Sequence, residues 1–264
     1  MIILLHSSKT MRQPTAGSER AKQQTASPVL LENATEIANY LKTLNTTQIA
    51  QHMQVSPALA TKTHTVLQNW TADSDKQTPA IDCFLGDIYS GFQVAMLSKQ
   101  DREYAHKHLR ILSGLYGVLG ALDGIYPYRL EMAYRFPKEP FNNLYDFWGD
   151  SIAKSLQDEK FVINLSSVEY SKAVLPYMKD TTVVAPKFMT IDPKTKEPKF
   201  VVVHAKIARG AFARWLIQNR VQSLEGMQKF NDLNYQFNAI LSTPGEPVFV
   251  AQEFGGLGLS VRLS

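Results

Sequence analysis

The pattern of hydrophobic and polar positions predicts strands and helices scattered along the whole chain. Met1–Leu5 is typical of a buried strand, and helical periodicity covers residues 30–44 and 46–69. The second of these helical segments is interrupted at Ser56–Pro57, where a capping serine and a first-turn proline predict that a new helix begins. A short apolar run at residues 80–86 predicts another strand.

The clearest helical pattern begins at Ser98. Ser98 and Asp101, three residues later, are typical of a capping box, and they predict a helix that ends at Gly114. One side of this helix is apolar and the other side is basic. A further helical turn or two is predicted between Tyr116 and Leu122.

The second half of the chain mixes strands with helices. Strands are predicted at residues 161–167, 181–189, 199–205 and 247–254, and helices near 147–156 and over 207–221. The turn at residues 192–199 predicts a hairpin between two of these strands. This order favours an α+β fold, a single domain over residues 1–264 with a mixed β-sheet and surrounding helices. Residues 12–27 are predicted to form a surface loop, and no element is predicted for the tail at 253–264.

Composition excludes several classes of protein. The chain has 264 residues, of which 44% are hydrophobic and 20% charged, as in ordinary globular proteins. Apolar runs stay well short of the roughly 20 residues that span a bilayer, so we expect a cytoplasmic protein with no membrane partner. The single cysteine, Cys83, excludes an intrachain disulfide and a thiolate-rich metal site within one chain. The histidines show no ligand spacing, so neither a metal nor a cofactor is predicted, and no familiar catalytic motif is present.

The net charge of +4 says little about partners, but the basic residues are unevenly distributed. Residues 199–220 contain no aspartate or glutamate. On the helix predicted there, the cations share one side: Lys206, Arg209 and Arg220, with Arg214 at the margin. Such a stripe suits phosphate binding, although a solvated helix face is the alternative.

Glycine is unusually frequent after the other basic segment, at Gly114, Gly117, Gly120 and Gly124. Two short helices joined by a glycine turn would resemble a helix-hairpin-helix, which grips a nucleic-acid backbone because glycine lets main-chain N–H groups approach a phosphate. Lys107 and Arg110 would add an attraction that depends on salt and not on base sequence. The alternative is close packing, in which the glycines only let two backbones touch.

Polar clusters in apolar surroundings support a different hypothesis. They lie at Ser7–Thr10, Gly86–Asp87, Tyr128–Glu131 and Trp148–Asp150. Charges in such places cost free energy unless they are paired, so the clusters suggest one pocket. In that pocket the cations Lys9, Arg129, Lys206 and Arg209 would face Asp87, Glu131 and Asp150. It would suit a small anionic or nucleotide-like ligand, and structural ion pairs are the alternative.

Six segments together resemble the YaaA family of bacterial peroxide stress proteins: HSSKTM (6–11), GDIYSGFQ (86–93), HLRILSGLYGVLGALDGIYPYRLEM (108–132), LYDFWGD (144–150), VINLSSVEY (162–170) and AKIARGAFARWLIQNR (205–220). The resemblance keeps the same order over nearly the whole chain. It implies a cytoplasmic protein that limits damage by hydrogen peroxide by keeping unincorporated iron low. It also implies a single α+β domain with a helix-hairpin-helix and a positively charged cleft that binds double-stranded DNA.

Carried over to this sequence, the resemblance places the hairpin at Leu112–Leu122, with Gly114 and Gly117 in its turn. The DNA-binding cleft would then draw on Lys9, Lys107, Arg110, Arg129, Lys206, Arg209 and Arg214. The leading hypothesis is a non-catalytic protein that binds double-stranded DNA without sequence preference. The rival is an enzyme acting on a small anionic or nucleotide-like substrate, with Glu131 or Asp150 as general acid or base.

Overall fold

The computed structural model describes residues 1–13, 25–73, 77–136 and 141–259. Its strands, numbered in chain order, are β1 (Ile2–His6), β2 (Thr78–Pro79), β3 (Leu109–Ser113), β4 (Gly117–Gly120), β5 (Gly124–Ile125), β6 (Phe161–Asn164), β7 (Thr182–Val184), β8 (Lys187–Ile191), β9 (Pro198–Lys199), β10 (Tyr235–Phe237) and β11 (Val248–Ala251). Its helices are α1 (Leu31–Thr43), α2 (Thr46–Met53), α3 (Pro57–Gln68), α4 (Ala80–Cys83), α5 (Asp87–Phe92), α6 (Lys99–His108), α7 (Leu144–Trp148), α8 (Ser151–Lys154), α9 (Val168–Ser171), α10 (Val202–Gln218) and α11 (Leu224–Met227).

The first strand lies at the centre of a five-stranded sheet with the order β4–β3–β1–β6–β7. Strands β3, β1, β6 and β7 run parallel, and β4 is antiparallel to β3. Every residue of β1 is buried, as expected for a parallel strand that is covered on both faces. From β1 the chain continues to β3 on one side, and it later returns to β6 on the other side. The carboxyl end of β1 is therefore a point where neighbouring connections diverge.

A second, four-stranded sheet has the order β10–β11–β8–β9. Strands β11 and β8 are parallel, and the other two pairs are antiparallel. The antiparallel pairing of β8 with β9 confirms the predicted hairpin around residues 192–199. Both sheets share one continuous hydrophobic core, which extends from Ile2 to Phe254. This arrangement confirms the predicted α+β fold with mixed sheets.

Helix α10 packs against β8 of the second sheet and against α5, whose Tyr89 hydroxyl donates a hydrogen bond to the His6 carbonyl of β1 in the first sheet. The contact between α10 and α5 is a contact of backbones. A Cβ atom added to Gly210 would lie 1.8 Å from the carbonyl oxygen of Ile88, and one added to Gly91 would lie 1.9 Å from that of Ile207. Glycine is thus required at both positions, and it brings the first turns of α10 close to the carboxyl edge of β1.

Several local predictions are confirmed. Strand β1 and helices α1 to α3 lie where the pattern places them, and Ser56 caps α3 by accepting a hydrogen bond from the Leu59 N–H. The capping box at the start of α6 is also present, since Ser98 and Asp101 each accept a hydrogen bond from the backbone of the other. In the described ranges, no helix is both long enough and apolar enough to cross a membrane.

The predicted helix-hairpin-helix at residues 112–122 is wrong. Helix α6 ends at His108, and residues 109–120 form the antiparallel hairpin of β3 and β4. The apolar residues that mimic helical periodicity are instead buried by pairing with β1, where Leu109 lies opposite Ile3. The glycines serve close packing, since a Cβ atom on Gly114 would lie 2.6 Å from the Leu130 carbonyl oxygen.

Other element predictions also need correction. The predicted strand at 80–86 begins instead with the short helix α4, and the predicted strand at 199–205 becomes the start of α10. The segment 181–189 contains two strands of different sheets, separated at Pro186. The predicted helix near 147–156 is two helices, because Gly149 adopts a positive φ of 46° between them.

The predicted loop at 12–27 and the tail at 253–264 are described only in part. Residues 14–24 and 260–264 lie outside the described residues. The beginning of the tail is packed, because the ring of Phe254 is buried and stacks on His204 with a centroid distance of 4.0 Å.

Candidate functional site

A pocket of about 540 Å³ opens at the carboxyl ends of β1 and β6. Residues 6–10, at the end of β1 and just after it, form one wall, and Ser167, Glu169 and Tyr170, which follow β6, form another. The start of α5, Glu131 and Lys206 complete it. In open sheets with parallel strands, ligands bind at this edge, where neighbouring connections diverge. The pocket therefore has the position and the size expected of a small-molecule site.

Two cations of α10 have no counter-ion among the described residues: Lys206 lines the pocket, and Arg209 lies close enough to His6 to affect its pKa. Lys206 and Arg209 are three residues apart, so they lie on the same side of the helix. Across the described ranges, no group forms a hydrogen bond or an ion pair with the Nζ atom of Lys206 or with the guanidinium of Arg209. Partial burial lowers the pKa of Arg209. A half-buried cation without a partner favours the binding of an anion.

A neutral donor stands beside these two cations. His6 is buried at the end of β1, and its Nδ1 atom accepts a hydrogen bond from the Ser167 N–H at 3.1 Å. Burial lowers the pKa of His6 to about 3, and the charges of Arg209 and Lys206 contribute to this shift. The ring is therefore neutral at pH 7, and its proton is on Nε2, which can donate to a ligand.

A carboxylate occupies another part of the pocket. Glu131 is mostly buried, and its Oε2 atom lies 2.5 Å from the Nζ atom of Lys9. Its Oε1 atom accepts a hydrogen bond from the Tyr134 hydroxyl, and the guanidinium of Arg129 is 3.8 Å away. Burial, together with the nearby Glu131, raises the pKa of Tyr134, so that its phenol remains a donor. Arg129 also donates a hydrogen bond to the backbone carbonyl of Lys9 at 3.0 Å.

Further acidic groups line the same pocket. Glu169, on α9, accepts a hydrogen bond from the Ala133 N–H at 3.1 Å, so it belongs to the same wall as Glu131. Asp87 lies at the start of α5 and also contributes to the lining. Among the residues of the predicted polar pocket, the lining thus contains the cations Lys9 and Lys206 and the carboxylates Asp87 and Glu131.

The floor of the pocket consists of neutral hydroxyl groups. Ser7 donates to the hydroxyl of Tyr170 at 3.2 Å, and the Tyr89 hydroxyl donates to the His6 carbonyl at 3.0 Å. Burial raises the pKa of both tyrosines, so both phenols are protonated at neutral pH. The Tyr170 ring also stacks on His6, with a centroid distance of 5.0 Å.

Sequence reasoning missed three of these groups, namely His6, Glu169 and Tyr170. They meet only because β6 pairs with β1, which is a long-range contact. A signal was nevertheless present, since the segments HSSKTM and VINLSSVEY, which carry the family resemblance, contain all three.

The structure separates the residues proposed to contact DNA. Lys9, Arg129, Lys206 and Arg209 lie at or near the pocket. The exposed Lys107 and the half-buried Arg110 lie at the opposite end of β3, and Arg110 donates a hydrogen bond to the His106 carbonyl at 2.8 Å. Gly114 and Gly117 are buried against Trp148, whose Nε1–H donates a hydrogen bond to the Gly114 carbonyl at 3.1 Å. Lys107 and Arg110 therefore lie towards the amino ends of the parallel strands, and the cations near the pocket lie towards their carboxyl ends.

Arg214 and Asp150 require correction. Arg214 is buried, and its guanidinium binds the Gly91 carbonyl at 3.0 Å and the Asp232 carboxylate at 2.9 Å. It joins α5 to the region of the second sheet and does not present its charge to a partner. Asp150 is not part of the pocket lining, and it forms an exposed ion pair with Lys154 at 2.9 Å.

In the ranges that the structure describes, no group of three or more histidine, cysteine, aspartate or glutamate side chains is positioned to hold a metal ion.

Cys83 is buried, and burial, with the neighbouring Asp82, raises the pKa of its thiol to about 12.

The fold and the site define an α+β protein with a charge-lined pocket at the carboxyl edge of a mixed sheet. A family model described as "Peroxide stress protein YaaA" matches residues 1–241, which include every residue of the pocket lining. The chain belongs to this family of peroxide stress proteins.

Curated relatives agree with this assignment. A UPF0246 protein of Salinispora tropica is 50% identical over 262 residues, which cover 99% of this chain and 98% of the relative. A UPF0246 protein of Marinomonas sp. is 38% identical over 232 residues, covering 86% of this chain and 88% of the relative. A UPF0246 protein of Shewanella pealeana is 38% identical over 264 residues, covering 96% and 100%, respectively.

Proposed function

We propose that the chain acts in the peroxide stress response by binding a small anionic ligand, phosphate-bearing and nucleotide-like, in the pocket at the carboxyl ends of β1 and β6. The observation that carries this proposal is the pair of cations Lys206 and Arg209, which have no counter-ion among the described residues. Taking a charge out of water costs free energy that a bound anion would offset.

The surroundings of the two cations support the same proposal. His6 offers a neutral N–H donor, and the Tyr170 hydroxyl, which accepts a hydrogen bond from Ser7, can donate a further one without adding charge. A phosphate group has several acceptor oxygens, so it fits such a set of donors. A pocket of about 540 Å³ is within the range of small-molecule sites and is much smaller than a groove for a DNA duplex.

Double-stranded DNA is the second candidate partner. The observation that favours it is that Lys107, on α6, is exposed at a different part of the surface from Lys206. Two separated cations suit contacts to phosphates that are spaced along a backbone. In this case binding would be insensitive to base sequence and would weaken steeply with salt.

Isothermal titration calorimetry separates the two candidates. We would titrate inorganic phosphate, adenosine monophosphate and a 20-base-pair duplex of random sequence into the wild type and into the variants Lys206→Ala, Arg209→Ala and Lys107→Ala. Loss of a charge-assisted hydrogen bond costs roughly 1.5–3 kcal/mol, so we expect each α10 variant to weaken nucleotide binding about 10- to 100-fold. Lys107→Ala is the matched control, and it should leave nucleotide binding unchanged.

The opposite pattern would overturn the proposal. If phosphate and nucleotide fail to bind at low salt, while the duplex binds and Lys107→Ala weakens it, DNA is the partner.

The resemblance also implies that the protein keeps unincorporated iron low. We propose that this effect depends on the pocket, so that cells carrying the Lys206→Ala/Arg209→Ala double variant should contain more unincorporated iron under peroxide than cells carrying Lys107→Ala.

A further inference from the structure

We infer that the ligand carries an N–H or ammonium donor as well as an anionic group, and that Glu131 recognises this donor. The inference rests on the proposed anion site and adds a second point of recognition to it. The observation behind it is that a mostly buried carboxylate lines the same pocket as Lys206, a cation without a counter-ion among the described residues. A carboxylate repels a bound anion, so a site for a simple anion has no use for one there.

Glu131 lies 3.8 Å from the guanidinium of Arg129, but its second contact, with Lys9, is not needed to hold the loop after β1. Its ion pair with Lys9 fastens the loop after β1 to the segment 129–131, but Arg129 already makes that connection. The Arg129 guanidinium donates a hydrogen bond to the Lys9 carbonyl at 3.0 Å. The loop would therefore stay in place if the Lys9 side chain moved away, and Glu131 is available for a ligand.

The ammonium group of Lys9 occupies the position next to Glu131 that a donor group of the ligand would take. Its Nζ atom binds Oε2 of Glu131 at 2.5 Å, although 63% of the Lys9 side chain is exposed. An exposed lysine forms ion pairs of little net stability, so its ammonium can be exchanged at small cost. Oε1 would remain satisfied by Tyr134 throughout the exchange. Oε2 is thus the acceptor that a ligand N–H group would take over.

Glu169 provides a second acceptor on the same wall. Its Oε1 atom is fixed by the Ala133 N–H, only two residues beyond Glu131. Its Oε2 atom accepts no hydrogen bond from any residue in the described ranges. An amino group has at least two hydrogens to donate, so it can use acceptors from both carboxylates.

The chemical class that fits is a phosphate or carboxylate joined to an amine within one small molecule. Both an aliphatic ammonium and the amino group of a nucleobase have this chemistry. They are distinguished by two matched pairs of probes, which differ only in the amino group: phosphoethanolamine with ethyl phosphate, and adenosine monophosphate with purine riboside monophosphate. A carboxylate should favour the amino member of the pair that fits, because it accepts a hydrogen bond that the other member cannot donate.

Calorimetric titration of both pairs into the full chain tests the inference. In the wild type we expect the amino member of at least one pair to bind at least tenfold more tightly than its partner. Glu131→Gln should reduce this ratio to about threefold or less, whereas Lys9→Ala should increase it by removing the internal competitor. Glu246→Gln, which alters an exposed ion pair with Lys187, is the control and should leave the ratio unchanged. Because Lys9→Ala acts in the opposite direction, the test stands even if Glu131→Gln folds poorly.

The outcomes separate this inference from the proposed function. If inorganic phosphate binds in a manner that depends on Lys206, but both members of each pair bind within threefold of each other, the anion site stands and the donor site is wrong. If Glu131→Gln leaves a wild-type preference intact, another group recognises the amine and the inference is also wrong. If no anion binds at all, the proposed function fails first and this inference fails with it.

Discussion

The guanidinium of Arg214 lies 2.9 Å from the carboxylate of Asp232, in a contact that is buried on the arginine side. The same guanidinium donates hydrogen bonds to the Gly91 carbonyl and the Gln93 side chain. This one side chain therefore holds the end of α5, the middle of α10 and the start of the segment leading to β10 together. A cation that sequence reasoning assigned to DNA is part of the scaffold that positions the pocket.

Replacement of Arg214 should destabilise the protein without removing a side chain that lines the pocket. We expect Arg214→Met to lower the free energy of unfolding by about 2–4 kcal/mol, because it leaves a carbonyl and a carboxylate without their donor. Urea denaturation followed by circular dichroism measures the change. Lys107→Met, at an exposed site, is the control and should cost less than about 0.5 kcal/mol. Equal stability of the two variants would show that Arg214 is not a structural anchor.

The contact between α5 and α10 should be intolerant of a single methyl group. A Cβ atom at Gly210 would lie 1.8 Å from the Ile88 carbonyl oxygen, so Gly210→Ala must push the two helices apart. We expect a loss of about 2–4 kcal/mol in stability and weaker binding at the pocket, since Lys206 and Arg209 would move away from His6. Gly245→Ala is the control, because the nearest atom to its added Cβ lies 4.0 Å away. Thermal unfolding and phosphate titration of both variants test this prediction.

Patterns among neighbouring residues predicted many of the helices and strands, but the other elements depend on pairing between strands that are distant in the sequence. The caps at Ser56 and Ser98 involve only neighbours along the chain, so the sequence alone identifies them. The change from helix to strand after His108 is different, because it depends on β3 lying beside β1. A helical pattern of apolar residues and a buried strand are difficult to distinguish locally when neither face is exposed.

The candidate site could likewise be predicted from the sequence only in part. Lys9, Glu131 and Lys206 were predicted to share a pocket because unpaired charges among apolar residues are costly, and the structure brings them to one pocket. The position of Arg214 was not predictable, because its helix is buried on nearly every side and its partner Asp232 is distant in sequence. A helical wheel assigns charges to a solvent face that this helix largely lacks.

The contribution of Asp123 to the stability of the protein should fall between about pH 4 and pH 7. Burial raises the pKa of Asp123 to about 6, above the value near 3.8 of an unfolded chain. Within this window the folded state binds more protons than the unfolded state, so stability from this group is present at low pH and is lost as the pH rises through the folded pKa. Burial, with Arg110, lowers the pKa of the neighbouring His106, which lies 4.0 Å from Asp123, so the histidine does not supply a compensating charge at neutral pH.

Asp123→Asn removes this ionisation and keeps an oxygen that can accept the hydrogen bond from the Gly120 N–H. We expect the variant and the wild type to be similarly stable near pH 4, and the variant to be more stable by roughly 2–3 kcal/mol near pH 8. Urea denaturation across this pH range measures the difference. Asp150→Asn alters an exposed ion pair and is the control, and its stability should follow that of the wild type across this pH range. A constant difference between variant and wild type would contradict the assignment to Asp123.

Cys83 should be inert towards peroxide in the folded protein, although the family is named for peroxide stress. Peroxides and thiol reagents react with the thiolate, and burial raises the pKa of this thiol to about 12, so almost none is ionised at pH 7. The thiol also donates a hydrogen bond to the Thr78 carbonyl at 3.5 Å. We expect its labelling by a chromogenic disulfide to be at least a hundredfold slower in the native state than in urea, and Cys83→Ala to protect cells from peroxide as well as the wild type does. Native labelling at the rate of the unfolded chain, or oxidation of Cys83 at low peroxide, would contradict this prediction and place a reactive thiol in this protein.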